Sequence, residues 1–334
     1  MPIIGDFQFK GGLKFPAGAA AALYPKPIDS PETVVAGTSV EGVPVETLAK
    51  SYSSVSLYAI AVDLQGNMYV ASTGGLTKLD STGHTLWAWT GAAAYGVAVD
   101  LQGSAYVGID GGIKKIVNGE EVWTYSGFTG GGMWGDGVCA VATDPQGNVY
   151  GAGYSKTIQK ISSSGSKVWS FTAGGTLNSV AVDLQGNVYS GGSNSTVYKL
   201  NSDGVQAWVF TGQTEQAYGV AADFQGNVYS CSGDGNVYRI SNSGQQVWKT
   251  YDGSPYGVCV SVAGEVYISA SGHLLKRSKA DGTKVWDFAE HATNQTTYTG
   301  SGNLICVDLQ GNIYYVLATG YLCKVFDGRI IHTS

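Results

Sequence analysis

One ten-residue phrase returns seven times along the chain, and it limits what the chain can fold into more than any other feature. It reads AVDLQGNMYV from Ala61, AVDLQGSAYV from Ala98, ATDPQGNVYG from Ala142, AVDLQGNVYS from Ala181 and AADFQGNVYS from Ala221. Two further copies are altered, CVSVAGEVYI from Cys259 and CVDLQGNIYY from Cys306. The anchor position holds Asp63, Asp100, Asp144, Asp183, Asp223, Ser261 and Asp308, spaced 37 to 47 residues apart. A period of that length is the mark of a repeat architecture in which each unit buries its apolar face against the next.

Each copy reads as four strands. An apolar strand such as Ile60-Ala61-Val62 enters the D-x-x-G-N turn. There the Asp is expected to accept from backbone N–H groups two and three residues on, and the Gly to take a positive φ. The second strand carries Tyr six residues after the anchor in every copy: Tyr69, Tyr106, Tyr150, Tyr189, Tyr229, Tyr267 and Tyr314. A third strand and a second turn lead to a closing Trp at Trp87, Trp123, Trp169, Trp208, Trp248 and Trp286, with His332 in the seventh copy.

Two residues before the anchor the side chain is small (Ala, or Cys at Cys259 and Cys306), and three before it is Ile or Val. Strand side chains alternate faces, so each inner strand has one thin and one bulky face. Thin against bulky suits blades converging on an axis. The expected fold is all-β: a seven-bladed β-propeller of four-stranded antiparallel blades over residues 55–334.

The phrase LDSTGHTLW ending at Trp87, with NSDGVQAW ending at Trp208, resembles the tryptophan-docking repeat of PQQ-like β-propellers. The D-x-x-G-N-V-Y phrase is similar to NHL-type repeats. The resemblance runs over about residues 55–334 and implies a fold, since propellers host many unrelated activities. It implies no quinone cofactor: the larger quinoprotein dehydrogenases use more blades and a vicinal Cys pair, and no two Cys are adjacent here.

Residues 1–54 lack the repeat and form a short N-terminal arm, an attachment or ring-closing segment. Residues 329–332 are expected to supply the fourth strand of blade seven, which leaves the arm free for attachment.

Composition removes several classes. Charged residues are 13%, against roughly 25% in an average soluble domain. The net charge is −6 and no Lys/Arg run exists, so no nucleic-acid partner is expected. No apolar stretch approaches a membrane span, and the first residues lack a basic n-region. The 5 Cys are odd in number and lack metal-like spacing, which reads as thiols in a reducing compartment. D-x-x-G-N lacks the alternating acids of a calcium loop. No P-loop and no G-x-S-x-G occur, so neither a cofactor nor a metal is expected.

Candidate sites lie on the rim where chains enter the inner strands. Five residues before the anchors stand Tyr58, Tyr95, Cys139, Asn178, Tyr218, Tyr256 and Asn303. One reading is an aromatic ring at the channel mouth, suited to stacking on sugars or another apolar-faced ligand. The other is packing between blades, which their parity with the bulky face favours. The Gly-rich loop 126–137 adds Trp134 and Asp136, at positions no repeat explains. His273, Glu290 and His291 around blade six make an alternative acid–base group, similar to that of streptogramin lyase-like propellers.

The function expected is a non-enzymatic structural or binding propeller. Its finer form is a phage virion component assembled in the host cytoplasm. The arm would attach it to other structural proteins of a capsid or tail, and the rim would meet a surface glycan or receptor. The alternatives are a cytosolic or envelope scaffold for protein partners and a lyase or hydrolase with a rim site.

Overall fold

The computed structural model describes residues 45–51, 56–129, 137–270, 273–288, 304–316 and 321–326. They form seven four-stranded antiparallel sheets and no helix. Blade one is typical: Leu57–Val62 is innermost, followed outward by Met68–Ser72, Gly75–Leu79 and Thr85–Trp89. Blades two to six repeat this order from Gly96–Val99 to Lys284–Phe288.

Blade seven differs. Its inner three strands are Ile305–Val307, Asn312–Val316 and Tyr321–Phe326, and its fourth is Val45–Ser51 from the other end of the chain. The expectation that residues 329–332 would complete this blade and free the arm is therefore corrected. Residues 327–334, with His332, lie outside the described residues. The register explains how the arm substitutes. In the other blades the outer Trp lies opposite the third-strand cation, as Trp87 opposite Lys78, with one residue bulged beside it. In blade seven Leu48 lies opposite Lys324, with the same register shift between Glu46 and Leu48. Leu48 stands at the Trp position.

The turn is more heavily bonded than its sequence suggests. Asp63 Oδ1 accepts from the backbone N–H of Gln65 (3.0 Å) and of Asn67 (2.9 Å), two and four residues on. The N–H three residues on, that of Gly66, donates instead to the Asp63 carbonyl. The expected two-and-three pattern is corrected accordingly; five positions close the loop. Asp63 Oδ2 accepts from Asn67 Nδ2 and from the buried Tyr69 hydroxyl, 3.2 Å away. The same bonds recur at Asp144, Asp183, Asp223 and Asp308.

The core is seven interfaces rather than one interior. In each, one blade's thin face meets the next blade's bulky face. Tyr69 and Ala61 of blade one pack on Val97 and Val107 of blade two. The ring closes where Tyr314 and Cys306 of blade seven pack on Leu57 and Ile60 of blade one. The outer Trp adds a directional link. Trp123, Trp169, Trp208 and Trp248 each donate Nε1–H to a carbonyl of the next blade, at Ser163, Ser202, Asn242 and Lys279, over 2.9–3.1 Å.

One repeated residue escaped the sequence reading. Each third strand places a cation over the buried Tyr ring: Lys78, Lys115, Lys160, Lys199, Arg239, Lys276 and Lys324, 4.7–6.0 Å from the ring centroid. Lys78 Nζ also reaches Asp63 Oδ2 at 3.1 Å. The offset of fifteen or sixteen residues from the anchor was the available signal.

Candidate functional site at the channel mouth

The inner strands enclose a cavity of about 310 Å³ on the axis, lined by the three residues before each anchor, such as Ile60, Ala61 and Val62. Each inner strand is paired on one side only. Its other edge turns backbone donors and acceptors to the channel, where water or a ligand must satisfy them. One is met within the protein: Thr143 Oγ1 donates to the Val99 carbonyl at 3.1 Å. Cys259 and Cys306 also line the channel, and burial raises both thiols above their ordinary range. They stay protonated and are poor nucleophiles or metal ligands. Among the described residues no group of three His, Cys, Asp or Glu is placed to hold a metal ion.

Two residues beyond the channel lining, toward the rim, stand the residues five before the anchor. In five blades the register skips this residue: between Leu57 and Ala59, Val138 and Ala140, Leu177 and Ser179, Ala217 and Gly219, and Pro255 and Gly257. A bulge breaks strict alternation and re-aims the side chain. Strict parity is therefore interrupted at this position, yet its side chains still pack between blades, as Tyr256 does against the buried cluster that contains Leu304.

The bulged side chains divide into two kinds. Cys139 and Asn178 are buried and reach the next blade: Cys139 Sγ lies 3.2 Å from the Leu177 carbonyl, and Asn178 Nδ2 donates to the Ala217 carbonyl at 2.9 Å. Asn178 thus ties two inner strands together. The tyrosines stay half-buried and pair across blades. Tyr58 and Tyr95 have ring centroids 5.4 Å apart, tilted by 51°. Tyr218 and Tyr256 are 5.6 Å apart, tilted by 52°.

Tyr154 joins the first pair. It lies on the turn between the second and third strands of blade three, and its N–H donates to the Gly137 carbonyl. A Cβ built on Gly137 would sit 3.4 Å from the Tyr154 ring and 4.0 Å from that of Tyr95, so the two rings flank one glycine. The Tyr95 phenol is raised from its ordinary value by burial first, and then by Tyr58, Asp110 and Tyr154, which are close enough to act on it. Sequence reasoning missed Tyr154 because it occupies no repeat position.

His273 opens the third strand of blade six and is exposed, with Nδ1 2.6 Å from Asp287 Oδ1. Lys284 Nζ holds the other carboxylate oxygen at 2.9 Å. Burial alone would raise the Asp287 carboxyl, but these two partners hold it below its ordinary value. Glu290, His291, Trp134, Asp136 and Asn303 lie outside the described residues.

A family model described as outer membrane protein assembly factor BamB matches residues 214–331. That match, together with the seven four-stranded blades, fits a PQQ-like propeller repeat. No curated protein matches it. Among solved structures it is similar to the WD40 β-propeller domain of Doa1, with a TM-score of 0.70 and 15% identity. That likeness covers 85% of this chain and 97% of the other, and it concerns the fold alone. The propeller fold is consistent with a binding or scaffold role.

Proposed function

We propose that this PQQ-like propeller is a non-enzymatic binding and scaffold module whose ligand docks at the tyrosine-flanked mouth of the channel. One observation carries the reading. Bulges in the inner strands of blades one, five and six interrupt the alternation at Tyr58, Tyr218 and Tyr256, and these three with Tyr95 stand half-buried in pairs. Half-buried aromatics beside a cavity give large contact area for little ordering entropy, which suits recognition.

The test is a thermal-shift screen of the full chain against simple sugars, amino-acid derivatives and short peptides. A ligand should raise the melting midpoint of the natural chain and have no effect on Tyr218→Ala or Tyr58→Ala variants that still fold. A panel with no shift, or shifts indifferent to both tyrosine pairs, would sink the reading.

The assembly-factor description of the matched family supports a scaffold for protein partners, cytosolic or envelope-associated. The phage-particle form of the proposal has lost part of its argument, because Val45–Ser51 belongs to blade seven. It rests on composition and on the sequence of residues 1–44. Copurification of the chain with virions of the source would support it, and a chain found only free would remove it.

A further inference from the structure

The turns that follow the inner strands lie at the end of the channel opposite the tyrosines. They carry a feature that the turn itself does not require. In each of these inner turns the glycine N–H donates to the anchor carbonyl three residues back over 2.8–3.2 Å, and the glycine has φ +76° to +85°. The two residues between form the centre of a β-turn, a place open to most residue types. The first of the two is apolar in every copy: Leu64, Leu101, Pro145, Leu184, Phe224, Val262 and Leu309. Proline suits this place by its fixed φ; the other six have no such reason to be there.

The turns between third and fourth strands supply the contrast. Those at 80–83, 162–165, 201–204 and 241–244 close with the same bond over 2.9–3.0 Å and with glycine at φ +81° to +91°. Their first central residues are Ser81, Ser163, Ser202 and Asn242. One turn geometry therefore takes polar residues on the outside and apolar ones around the axis.

The apolar ring is open to solvent. Leu101, Phe224 and Val262 are 37–43% exposed, and Leu64, Pro145, Leu184 and Leu309 are half-buried. The second central residue is exposed in every inner turn, as Gln in six of them and as Ala263 in the seventh. The anchor carboxylates are buried behind these turns. The centres of the inner turns thus form an uncharged crown around the channel end, with the exposed hydroxyl and amide groups of the outer turns beyond it. An apolar centre inside a polar border is the anatomy of a protein interface.

The crown also limits what fits it. Its residues recur seven times around one axis, so an occupant that engages them all must present a matching ring. A second copy does so, brought face to face by a two-fold axis that crosses the propeller axis. Each chain carries a net charge of −6, so two copies repel except where charge is absent, as it is at the centre of the crown. The central residues of the seven inner turns and of these four outer turns number 22, within the roughly 20–30 a side of a standard interface.

We propose that the chain forms a face-to-face dimer through this crown, with the tyrosine-flanked mouths at its two outer ends. The dimer does not depend on what those mouths bind.

Sedimentation velocity of the full chain across the micromolar range is the experiment, and it should show twice the mass of one chain. Leu101→Glu combined with Phe224→Glu sets carboxylates in both crowns and should raise the dissociation constant about a hundredfold or more, in a chain whose circular dichroism is unchanged. Leu101→Gln combined with Phe224→Gln, which matches the neighbouring glutamines, should weaken the dimer less. Leu86→Glu, at an apolar residue 52% exposed on the outer strand of blade one, should leave it intact. Salt screens the like net charges and finds no ion pair to weaken at the centre of the crown, so added salt should hold or tighten the dimer. A chain that stays monomeric at the highest concentration overturns the inference. Flotation of that monomer with phosphatidylcholine vesicles, lost in the double Glu variant, would assign the crown to a lipid surface instead. A dimer indifferent to both double variants, or one that salt dissociates, also overturns it.

Discussion

Blade six shows at single residues what the repeat requires. Its anchor is Ser261, which cannot supply the carboxylate that other blades aim at the Tyr–Lys pair. Four residues on, where most copies have Asn, stands Glu265, with Oε2 3.0 Å from Lys276 Nζ. The negative charge has moved along the same turn and still meets the third-strand cation, whose side chain is only 4% exposed. Removing one member of a largely buried pair is expensive, though Glu265 retains some solvent and the loss is smaller for that. Glu265→Gln should therefore lower stability by on the order of 2 kcal/mol in denaturant titration. Adding Ser261→Asp to that variant should restore most of the loss, since it returns the charge to its usual place. If the double variant is no better than the single one, the exchange is not a compensation.

At the scale of strands and turns, glycine is needed for two separable reasons, one shown by Gly204 in the second turn of blade four and the other by Gly253 in the connection from blade five to blade six. Gly204 has φ +81°, and a Cβ there would lie 2.6 Å from the Trp169 ring docked from the preceding blade. Gly253 has φ +76°, with nothing within 4 Å of the same position. Both substitutions to Ala incur the left-handed backbone penalty of about 1–2 kcal/mol. Gly204→Ala adds overpacking against a large ring, so it should be worse than Gly253→Ala by at least about 1 kcal/mol. Equal melting midpoints would mean that the Trp contact contributes nothing. Such turns were legible in the sequence because Asp, Gly and Tyr hold fixed offsets for local reasons. The arm strand was not, because Leu48 takes the Trp place without the indole that marks it. Nor was the orientation of Tyr58 and Tyr218, because period-2 alternation ends at a bulge that no residue type announces. Tyr154 needed the fold to bring blade three beside blade two.

The seven-fold repetition turns small terms into properties of the whole molecule. Tyr69, Tyr106, Tyr150, Tyr189, Tyr229 and Tyr314 are buried, donate to the anchor carboxylates, and are all raised well above the ordinary tyrosine value, by burial first and the neighbouring Asp second. A raised folded-state value leaves stability intact below the unfolded pKa near 10 and removes it as pH climbs from there toward the folded values. Six such groups add, so unfolding should set in steeply above about pH 10. Tyrosinate absorbance should rise together with loss of the sheet signal; ionisation of these phenols in a chain that keeps its sheets would contradict the account.

The ring itself makes the last and strictest demand. An open array exposes one thin and one bulky blade face and leaves a bare strand edge, so closure has to be enforced. Here it is enforced by pairing Val45–Ser51 with Tyr321–Phe326, which joins the two ends of the sequence in one sheet. Leu322, Cys323 and Val325 on that third strand are buried. A chain beginning at residue 52 loses this strand, whereas one beginning at residue 45 keeps it, so the pair isolates closure from anything residues 1–44 contribute. The shorter chain should be at least about 3 kcal/mol less stable, because it loses an edge strand and the cover it gives to a packed interface. It should also associate through the bared edge. A synthetic peptide spanning residues 43–53 should restore part of the difference in trans, as strand addition to an open sheet does. Equal stability of the two truncated chains would mean that the propeller holds together without this pairing, and blade seven would then have to be closed by its own C-terminal residues.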